Sequence, residues 1–504
     1  MSGSTKAFCL LLLATGCLYL PLRRARFVYD DQWLIVRNAA LRSIRPVWFF
    51  TDPRTVADPT SGLTSDIYRP LTVLSFAVDY HLWGLRPVPY HLENLFWHAT
   101  AALLFWALLR QLLRHETAAL VGAAVFLWHP VQVQTVAWVS QRSNVLSACA
   151  LLASLGCFLR LSEKRRLATT TGCFFYLLAL LSKESAIVLP GVLLLIDWNY
   201  RRENLREKHA IIRYGVLVLM SAGYLLFRHS LLHQWSQFAG ETKNWSRDIA
   251  LASLALPVYI GKLLLPFRLR PSYDYPVFRF PLLAGGVLIS ITILVLWGLT
   301  LRKRSRAALG LGWILIALAP ALQIVPIRAY VAERFLYLPV MGLALLASQL
   351  YLRFSAGRWL LIPWVAFLIG MTAVTVPHWE SDQSLWAYGV QQEPTNAFAH
   401  LCYAEDAPSL DVSEAEYKQA LLNHPAPDAR FSAMNNLAWL YLQEKQSRKA
   451  LYWAQQAAGM EPQNPHTLYN LWKAYAGIHD SRNAEATKRR FDLATNNPSR
   501  PSGL

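Results

Sequence analysis

The feature that most restricts the fold of this chain is a succession of apolar segments long enough to cross a membrane. Residues 7–22, 281–301 and 359–376 are examples, and each approaches the roughly 20 apolar residues that span a bilayer. Apolar residues make up 54% of the 504 residues and charged residues only 16%, which is too few charges for a soluble chain of this size. The sequence therefore predicts an all-α, polytopic membrane helical bundle.

The positive net charge belongs to the membrane region. The whole chain carries +18, but residues 382–504 contain 11 basic and 13 acidic residues, a net of −2, so the preceding part carries +20. The excess lies in short loops at residues 160–166, 201–208 and 302–306. Short loops rich in Lys and Arg stay in the cytoplasm, whereas a nucleic-acid binder needs a basic face interleaved with aromatic residues. The charge thus predicts membrane orientation and argues against nucleic acid as a partner.

Alternation of these loops predicts the topology. With the N-terminus inside, residues 29–31 lie outside, and residues 249–266 must lie along the outer surface to keep the loop at residues 302–306 in the cytoplasm. The result is about 11 spans. We expect a membrane domain over residues 1–381 and an extracytoplasmic domain over residues 382–504.

The second domain shows a repeat typical of tetratricopeptide units. The residues with this spacing are Leu437, Ala438, Tyr441, Ala450, Ala457 and Pro462, and 34 residues later Leu471, Tyr475, Ala484 and Phe491. This pattern predicts a short helical solenoid, with a degenerate unit before it. Such a solenoid binds a protein on its concave face or only covers the membrane domain, and the pattern leaves both interpretations open.

Charged residues recur in the segments expected on the outer side. Asp30 and Asp31 follow the first apolar segment directly, where a carboxylate can deprotonate an acceptor hydroxyl. Outward Arg and Lys residues can hold a lipid-linked phosphate. Each residue also has a structural interpretation: Arg69 or Arg142 as a headgroup anchor, Lys183 and Glu184 as a self-neutralising pair, Glu333 and Arg334 as an ion pair, and His91 as a hydrogen-bonded core histidine.

Taken together, six motifs resemble one family. They are Phe27-Val28-Tyr29-Asp30-Asp31, Tyr68-Arg69-Pro70-Leu71, His91-Leu92-Glu93-Asn94 with His98-Ala99, His129-Pro130-Val131 with Val136-Ala137, Leu181-Ser182-Lys183-Glu184, and Ala332-Glu333-Arg334-Phe335-Leu336-Tyr337-Leu338-Pro339. In this order, and followed by repeats, they resemble the transmembrane-and-tetratricopeptide-repeat O-mannosyltransferases and their bacterial relatives.

The resemblance implies a GT-C membrane fold and transfer of a sugar from a polyprenyl-phosphate donor to a protein hydroxyl, with inversion at the anomeric carbon. It matches Asp30 and Asp31 to the family's catalytic acidic pair, and Arg69, Lys183 and Arg334 to positions facing the donor phosphate. We add His91, Arg142, Glu184 and Glu333 as substrate-binding candidates. No residue is assigned to a metal, and a divalent cofactor stays open.

The chain also departs from the family pattern. Residues His129-Pro130-Val131-Gln132-Val133-Gln134 lack a His and a Glu that are common there, which weakens any role for this segment. The short repeat domain and compact loops look more like a bacterial inner-membrane member, with a periplasmic domain, than an endoplasmic-reticulum member with a lumenal one. The sugar need not then be mannose.

Two other functions are compatible with the sequence. A non-enzymatic scaffold could use the repeats to assemble a cell-envelope complex, although this gives no reason for paired acids beside outward Arg and Lys. Alternatively, the enzyme could glycosylate a lipid or a glycan, although such acceptors need no soluble peptide-binding array.

Overall fold

The computed structural model describes residues 3–59, 67–159, 165–201, 205–233, 244–276, 278–303, 305–323, 327 and 329–495. The described part is helical throughout and contains no β-strand. The chain divides into two compact units. The larger ends at Glu380, and the smaller begins at Ser381 and also takes in residues 270–274.

Fifteen α-helices of the described residues belong to the larger unit. They are α1 (Gly3–Leu18), α2 (Pro46–Thr51), α3 (Pro70–Trp83), α4 (Pro87–Leu113), α5 (Glu116–Trp128), α6 (Val133–Ala137), α7 (Arg142–Leu159), α8 (Arg165–Ser182), α9 (Leu189–Tyr200), α10 (Lys208–Leu232), α11 (Trp245–Leu264), α12 (Phe280–Arg302), α13 (Ala307–Leu318), α14 (Pro339–Arg353) and α15 (Ser355–Thr375). Single turns such as Leu20–Arg24, Val139–Gln141, Glu184–Val188 and Glu333–Leu336 connect several of them.

Several helices are long and apolar enough to cross a membrane. Within the described ranges there are five by length and composition: Pro87–Leu113, Val139–Leu159, Lys208–Leu232, Phe280–Arg302 and Ser355–Glu380. A sixth arises if α5 and the segment Pro130–Ala137, bent by 50° at their junction, count as one span. Shorter apolar helices are Gly3–Leu18, Leu167–Ser182 and Ala307–Ala321. The chain is thus a membrane protein, and the count of about 11 spans stays a prediction.

Close helix packing in the larger unit depends on small residues. A Cβ atom added at Gly342 of α14 would lie 2.6 Å from the carbonyl oxygen of Gly310 in α13. Any larger side chain there would push the two backbones apart. Small residues at such crossings are the usual way in which membrane helices approach each other.

The described residues of the smaller unit form seven helices. They are α16 (Asp382–Gln392), α17 (Ala397–Glu405), α18 (Leu410–Leu422), α19 (Pro427–Gln443), α20 (Ser447–Met460), α21 (Pro465–Gly477) and α22 (Ser481–Thr495). Each packs against the next along the chain. Alanines at the crossings, among them Ala438, Ala450 and Ala454, are fully buried. This is the geometry that a helical repeat requires, because small residues let paired helices approach.

Candidate functional site

The paired acids lie in a tight turn after the first helix. Tyr29 has a positive φ of 51°, a conformation that a bulky residue adopts only when its surroundings hold it there. The Asp30 carbonyl accepts hydrogen bonds from the backbone N–H groups of Trp33, at 3.0 Å, and Leu34, at 2.9 Å. The turn leaves Asp30 half-buried and Asp31 fully buried. The two neighbouring carboxylates therefore have different surroundings.

Asp31 is held by three hydrogen bonds. Its Oδ1 accepts from the backbone N–H of Ser140, at 2.7 Å, and from the Ser140 hydroxyl, and its Oδ2 accepts from the Val28 N–H, at 3.1 Å. Burial raises the pKa of Asp31 to about 7, although these hydrogen bonds act in the opposite direction. A carboxylate with its oxygens occupied in this way fixes the turn to the α6–α7 connection and is poorly placed to receive a proton from a substrate.

Asp30 faces basic side chains instead. Burial raises the pKa of its carboxyl to about 6, and the charges of Arg334 and Arg69 offset part of that rise. Within the described residues its carboxylate accepts no side-chain hydrogen bond. Asp30 is thus largely ionised at neutral pH, and its carboxylate is not occupied by side-chain hydrogen bonds of the described residues in the way that Asp31 is.

Arg69 is fixed at the start of α3, where Pro70 occupies the first helical position. Its Nε and Nη2 donate to the two carboxylate oxygens of Glu184, at 3.1 and 2.7 Å. Burial alone would raise the pKa of Glu184, but the charge and hydrogen bonds of Arg69 outweigh it and hold that pKa well below its usual range. The Thr72 hydroxyl donates to the Ser182 carbonyl, at 3.2 Å, and so fixes α3 against the end of α8.

Lys183 adds a third cation to this group. Its Nζ donates to the Asn144 side-chain oxygen, at 2.7 Å, and lies 5.9 Å from the centre of the Phe335 ring. Burial lowers the pKa of Lys183 well below its usual range, and the nearby charge of Arg69 adds to this effect. A bound anion would restore the proton affinity of this amine, because an opposite charge favours its charged form.

Arg334 reaches the group from the turn before α14. Its backbone N–H donates to the Gln134 side-chain oxygen, at 2.7 Å, and its guanidinium lies 5.3 Å from the centre of the Trp138 ring. Burial lowers the pKa of Arg334, and the Asp30 carboxylate opposes this change. Arginine nevertheless stays protonated in proteins. Asp30, Arg69, Lys183, Glu184 and Arg334 therefore form one charged group, which we call the acid–base cluster.

Arg142 lies elsewhere, in a buried network of hydrogen bonds. It is fully buried, and it donates to the carboxylate of Asp79, to the side-chain oxygen of Asn94 and to the Tyr90 carbonyl. These partners belong to α3 and α4. Because its donors are engaged by the protein, we leave Arg142 out of the proposed site.

The two other candidates are also buried. His91 is 1% exposed, and its Nε2 lies 3.2 Å from the Arg26 carbonyl. Glu333, 2% exposed, precedes Arg334 in the same turn. Because they are buried, His91 and Glu333 are better suited to supporting neighbouring residues than to contacting a substrate.

The side chains that position the residues of the acid–base cluster and Asp31 were not among the candidates predicted from the sequence. Ser140 holds Asp31, Asn144 holds Lys183, and Gln134 holds the backbone of Arg334. The sequence does contain a pattern that indicates Ser140 and Asn144, because residues 140–144 form a polar run between apolar segments. Gln134 lies in the segment that departs from the family pattern, and it nevertheless has a positioning contact. Within the described ranges, no three His, Cys, Asp or Glu side chains come close enough together to hold a metal ion.

Several curated proteins are similar in sequence to this chain. No family model matches the chain. The protein O-mannosyl-transferase TMTC1 of Homo sapiens is 27% identical over 504 residues, which cover 85% of this chain and 56% of that protein. A protein O-mannosyl-transferase of Caenorhabditis elegans is 26% identical, covering 76% and 57%, and TMTC3 of Mus musculus is 24% identical, covering 92% and 52%.

Among solved structures, the archaeal oligosaccharyltransferase AglB from Archaeoglobus fulgidus, in complex with an inhibitory peptide and a dolichol-phosphate, is 13% identical with a TM-score of 0.40. The match covers 84% of this chain and 60% of AglB. The chain spans about half the length of the curated relatives it matches. Their names confirm the resemblance that the motifs predict: this chain is similar in sequence to curated protein O-mannosyl-transferases, TMTC1 and TMTC3 among them.

Proposed function

We propose that this chain is an integral-membrane glycosyltransferase that moves a sugar from a polyprenyl-phosphate donor to a hydroxyl of an acceptor protein, on the extracytoplasmic side and with inversion. The observation that carries this proposal is the contrast between the two acids. Asp31 is saturated by Ser140 and Val28, whereas Asp30 is half-buried beside Arg69 and Arg334.

Asp30 serves as the general base. With its pKa raised to about 6 by burial, it is a stronger base than an ordinary aspartate and is still ionised at neutral pH. It accepts the proton of a Ser or Thr hydroxyl while the hydroxyl oxygen attacks the anomeric carbon. A new carbon–oxygen bond forms on one face of the sugar, and the bond to the phosphate oxygen breaks on the other.

The cations of the acid–base cluster stabilise the leaving phosphate. Arg69 and Arg334 supply positive charge before the donor arrives, and Glu184 holds the Arg69 guanidinium in place. Preorganised charge of this kind stabilises the transition state, since it needs no rearrangement as negative charge develops. Lys183 gains most, because an anion beside it favours its protonated form.

The smaller unit recruits the acceptor protein in this proposal, and the membrane domain binds lipid. We place the chain in a bacterial inner membrane with residues 382–504 in the periplasm; the alternative is the endoplasmic-reticulum membrane with these residues in the lumen. A repeat array raises the local concentration of a bound acceptor near the catalytic residues. The donor sugar need not be mannose.

The test is transfer by the purified full chain. We expect Asp30→Asn to lower turnover of a polyprenyl-phosphate-linked sugar onto a Ser- or Thr-containing peptide by about two to four orders of magnitude, the usual contribution of a general base. The glycosylated peptide is measured by mass spectrometry. Asp52→Asn is the matched control, since Asp52 lies in the same connecting region but pairs with Arg54, and its turnover should stay close to that of the unmodified chain.

Three outcomes would overturn the proposal. Full activity in Asp30→Asn, Asp31→Asn and the double variant would remove both acids from the chemistry. If no protein or peptide is modified by any form, and loss of the chain instead disassembles an envelope complex, the scaffold function applies. Transfer to a lipid or glycan but never to a peptide would identify the other acceptor class.

A further inference from the structure

The smaller unit contains a cavity of about 380 Å³ between α19, α21 and α22. Its polar wall consists of Asn435 and Asn436 on α19 and His466 and Asn470 on α21, and its apolar wall of Trp439, Tyr469 and Phe491. We call this cavity the asparagine groove. It combines amide groups with large aromatic rings, so it differs from an ordinary gap between packed helices.

The asparagines recur with the repeat. Asn436 and Asn470 stand 34 residues apart, at the same position of consecutive helix pairs, and therefore both face the groove. Asn470 is 2% exposed and its Nδ2 donates to the carbonyl and side-chain oxygens of Asn435, both at 3.0 Å. These bonds hold the amides in fixed orientations. The amide nitrogens of Asn470 and Asn436 are engaged by Asn435 and Glu405, so their side-chain oxygens are the atoms left to accept a hydrogen bond from a ligand.

The aromatic wall is open to solvent. The Trp439 ring is 49% exposed and the Tyr469 ring 38% exposed, and Phe491 contacts Tyr469 with ring centres 5.8 Å apart. Exposed large rings beside a cavity are typical anchors for a partner's apolar side chain.

Charge at one end of the groove specifies the occupant further. The Nδ2 of Asn436 donates to Glu405, at 3.3 Å, and Glu405 and its neighbour Asp406 are exposed at the end of α17. Two exposed carboxylates beside the groove favour a cation in the bound segment.

We infer that the asparagine groove binds an extended acceptor segment whose backbone N–H groups donate to the side-chain oxygens of Asn436 and Asn470, with an apolar side chain against Trp439 and a Lys or Arg near Glu405. The inference rests on the proposed function only in naming the bound segment as the acceptor. Extended peptides suit such a groove, because main-chain hydrogen bonds supply affinity and alternate side chains supply specificity.

The test is direct binding of peptides to the purified full chain without donor, measured by fluorescence anisotropy. The probe is a fluorescein-labelled 12-residue peptide of Ser, Thr and Gly with one Phe and two Lys. One matched peptide has Glu in place of both Lys, and another has the Lys sequence with N-methylated backbone amides around Phe. We expect the Lys peptide to bind about tenfold more tightly than either, a difference of about 1.4 kcal/mol.

Three variants locate the binding site. Trp439→Ala and Asn436→Ala should each weaken the Lys peptide by about tenfold. Both side chains are partly exposed, so these variants are safer than changes at the buried Asn470. Tyr452→Ala is the matched control, because Tyr452 is 55% exposed but lies on α20 outside the groove, and its binding should be unchanged.

The inference is wrong if the Glu or N-methylated peptide binds as tightly as the Lys peptide, or if neither Trp439→Ala nor Asn436→Ala weakens binding. The inference is also wrong if a folded chain binds none of the peptides. If the peptides bind in the expected pattern but no sugar is transferred, the inference about the groove stands and the proposed glycosyltransferase activity is refuted.

Discussion

At the scale of single residues, the adjacent and chemically identical Asp30 and Asp31 have different surroundings. Asp31 is bonded to Ser140, which lies 109 positions away in the chain, whereas Asp30 meets the charges of Arg334 and Arg69. The positive φ of Tyr29 contributes, since it turns the backbone between Val28 and Asp30. Local strain of this kind is stable only when surrounding contacts hold it, as they do here.

The pH profile of transfer follows from Asp30. Its pKa is raised to about 6, and only the ionised form accepts a proton. Below pH 6 the rate should therefore fall about tenfold for each pH unit, and above it the rate should level off. The measurement is initial transfer rate against pH with saturating donor and an acceptor peptide that has no titrating side chain.

Variants of Arg334 test whether the break in the pH profile belongs to Asp30. Its charge lowers the pKa of Asp30, so Arg334→Gln should move the break in the profile to higher pH, whereas Arg334→Lys should leave it near its original place. A break that stays fixed in both variants would assign the titration to another group.

At the scale of elements, a buried ion pair joins three helices. Arg142 of α7 is fully buried, as is Asp79 of α3, and Arg142 also donates to Asn94 and to the Tyr90 carbonyl of α4. Buried charges are tolerated only when they are paired and their hydrogen bonds satisfied. The network therefore holds α3, and with it Arg69, in place.

Loss of this arginine should affect stability first. Arg142→Ala leaves the Asp79 carboxylate buried without its partner, and we expect a destabilisation of about 3–5 kcal/mol, seen as a lower melting temperature in detergent. Arg110→Ala is the control, since Arg110 forms an exposed ion pair with Glu116 that contributes little. An Arg142→Ala chain with normal melting temperature but a raised KM for the donor would return Arg142 to the donor site.

At the scale of the whole molecule, charge governs how the chain lies in the membrane. The larger unit carries the positive excess, in loops that include Arg302 and Arg306, and the smaller unit is slightly acidic. Basic short loops are retained in the cytoplasm during insertion, whereas neutral or acidic domains cross. The acid–base cluster and residues 382–504 should therefore share the outer side.

Cysteine labelling tests this orientation. In a chain whose six native cysteines have been replaced, Ser305→Cys should react with a membrane-impermeant maleimide only after the membrane is opened, because it lies in the basic loop. Arg448→Cys, at the start of α20, should react in intact cells or spheroplasts. The reverse pattern would put Asp30 in the cytoplasm and would favour nucleotide-sugar donors over lipid-linked ones.

The sequence by itself determined the features that depend on local pattern. Apolar segments at residues 281–301 and 359–376 correspond to the span candidates Phe280–Arg302 and Ser355–Glu380, because hydropathy over a continuous segment decides whether it crosses a bilayer. In the same way, the 34-residue spacing placed Leu437, Tyr441 and Ala450 at positions that are buried between helices. The motifs also predicted the resemblance to protein O-mannosyl-transferases.

Only the tertiary structure decided which charged residues are available for chemistry. Asp30 and Asp31 cannot be distinguished by residue type or by sequence position, and neither can Arg69 and Arg142, which both lie in segments expected on the outer side. Their difference lies in partners that are distant in the chain: Ser140 for Asp31 and Asp79 for Arg142. Because burial and hydrogen bonding set the state of an ionisable group, and both arise from packing, the assignment of roles had to come from the folded chain.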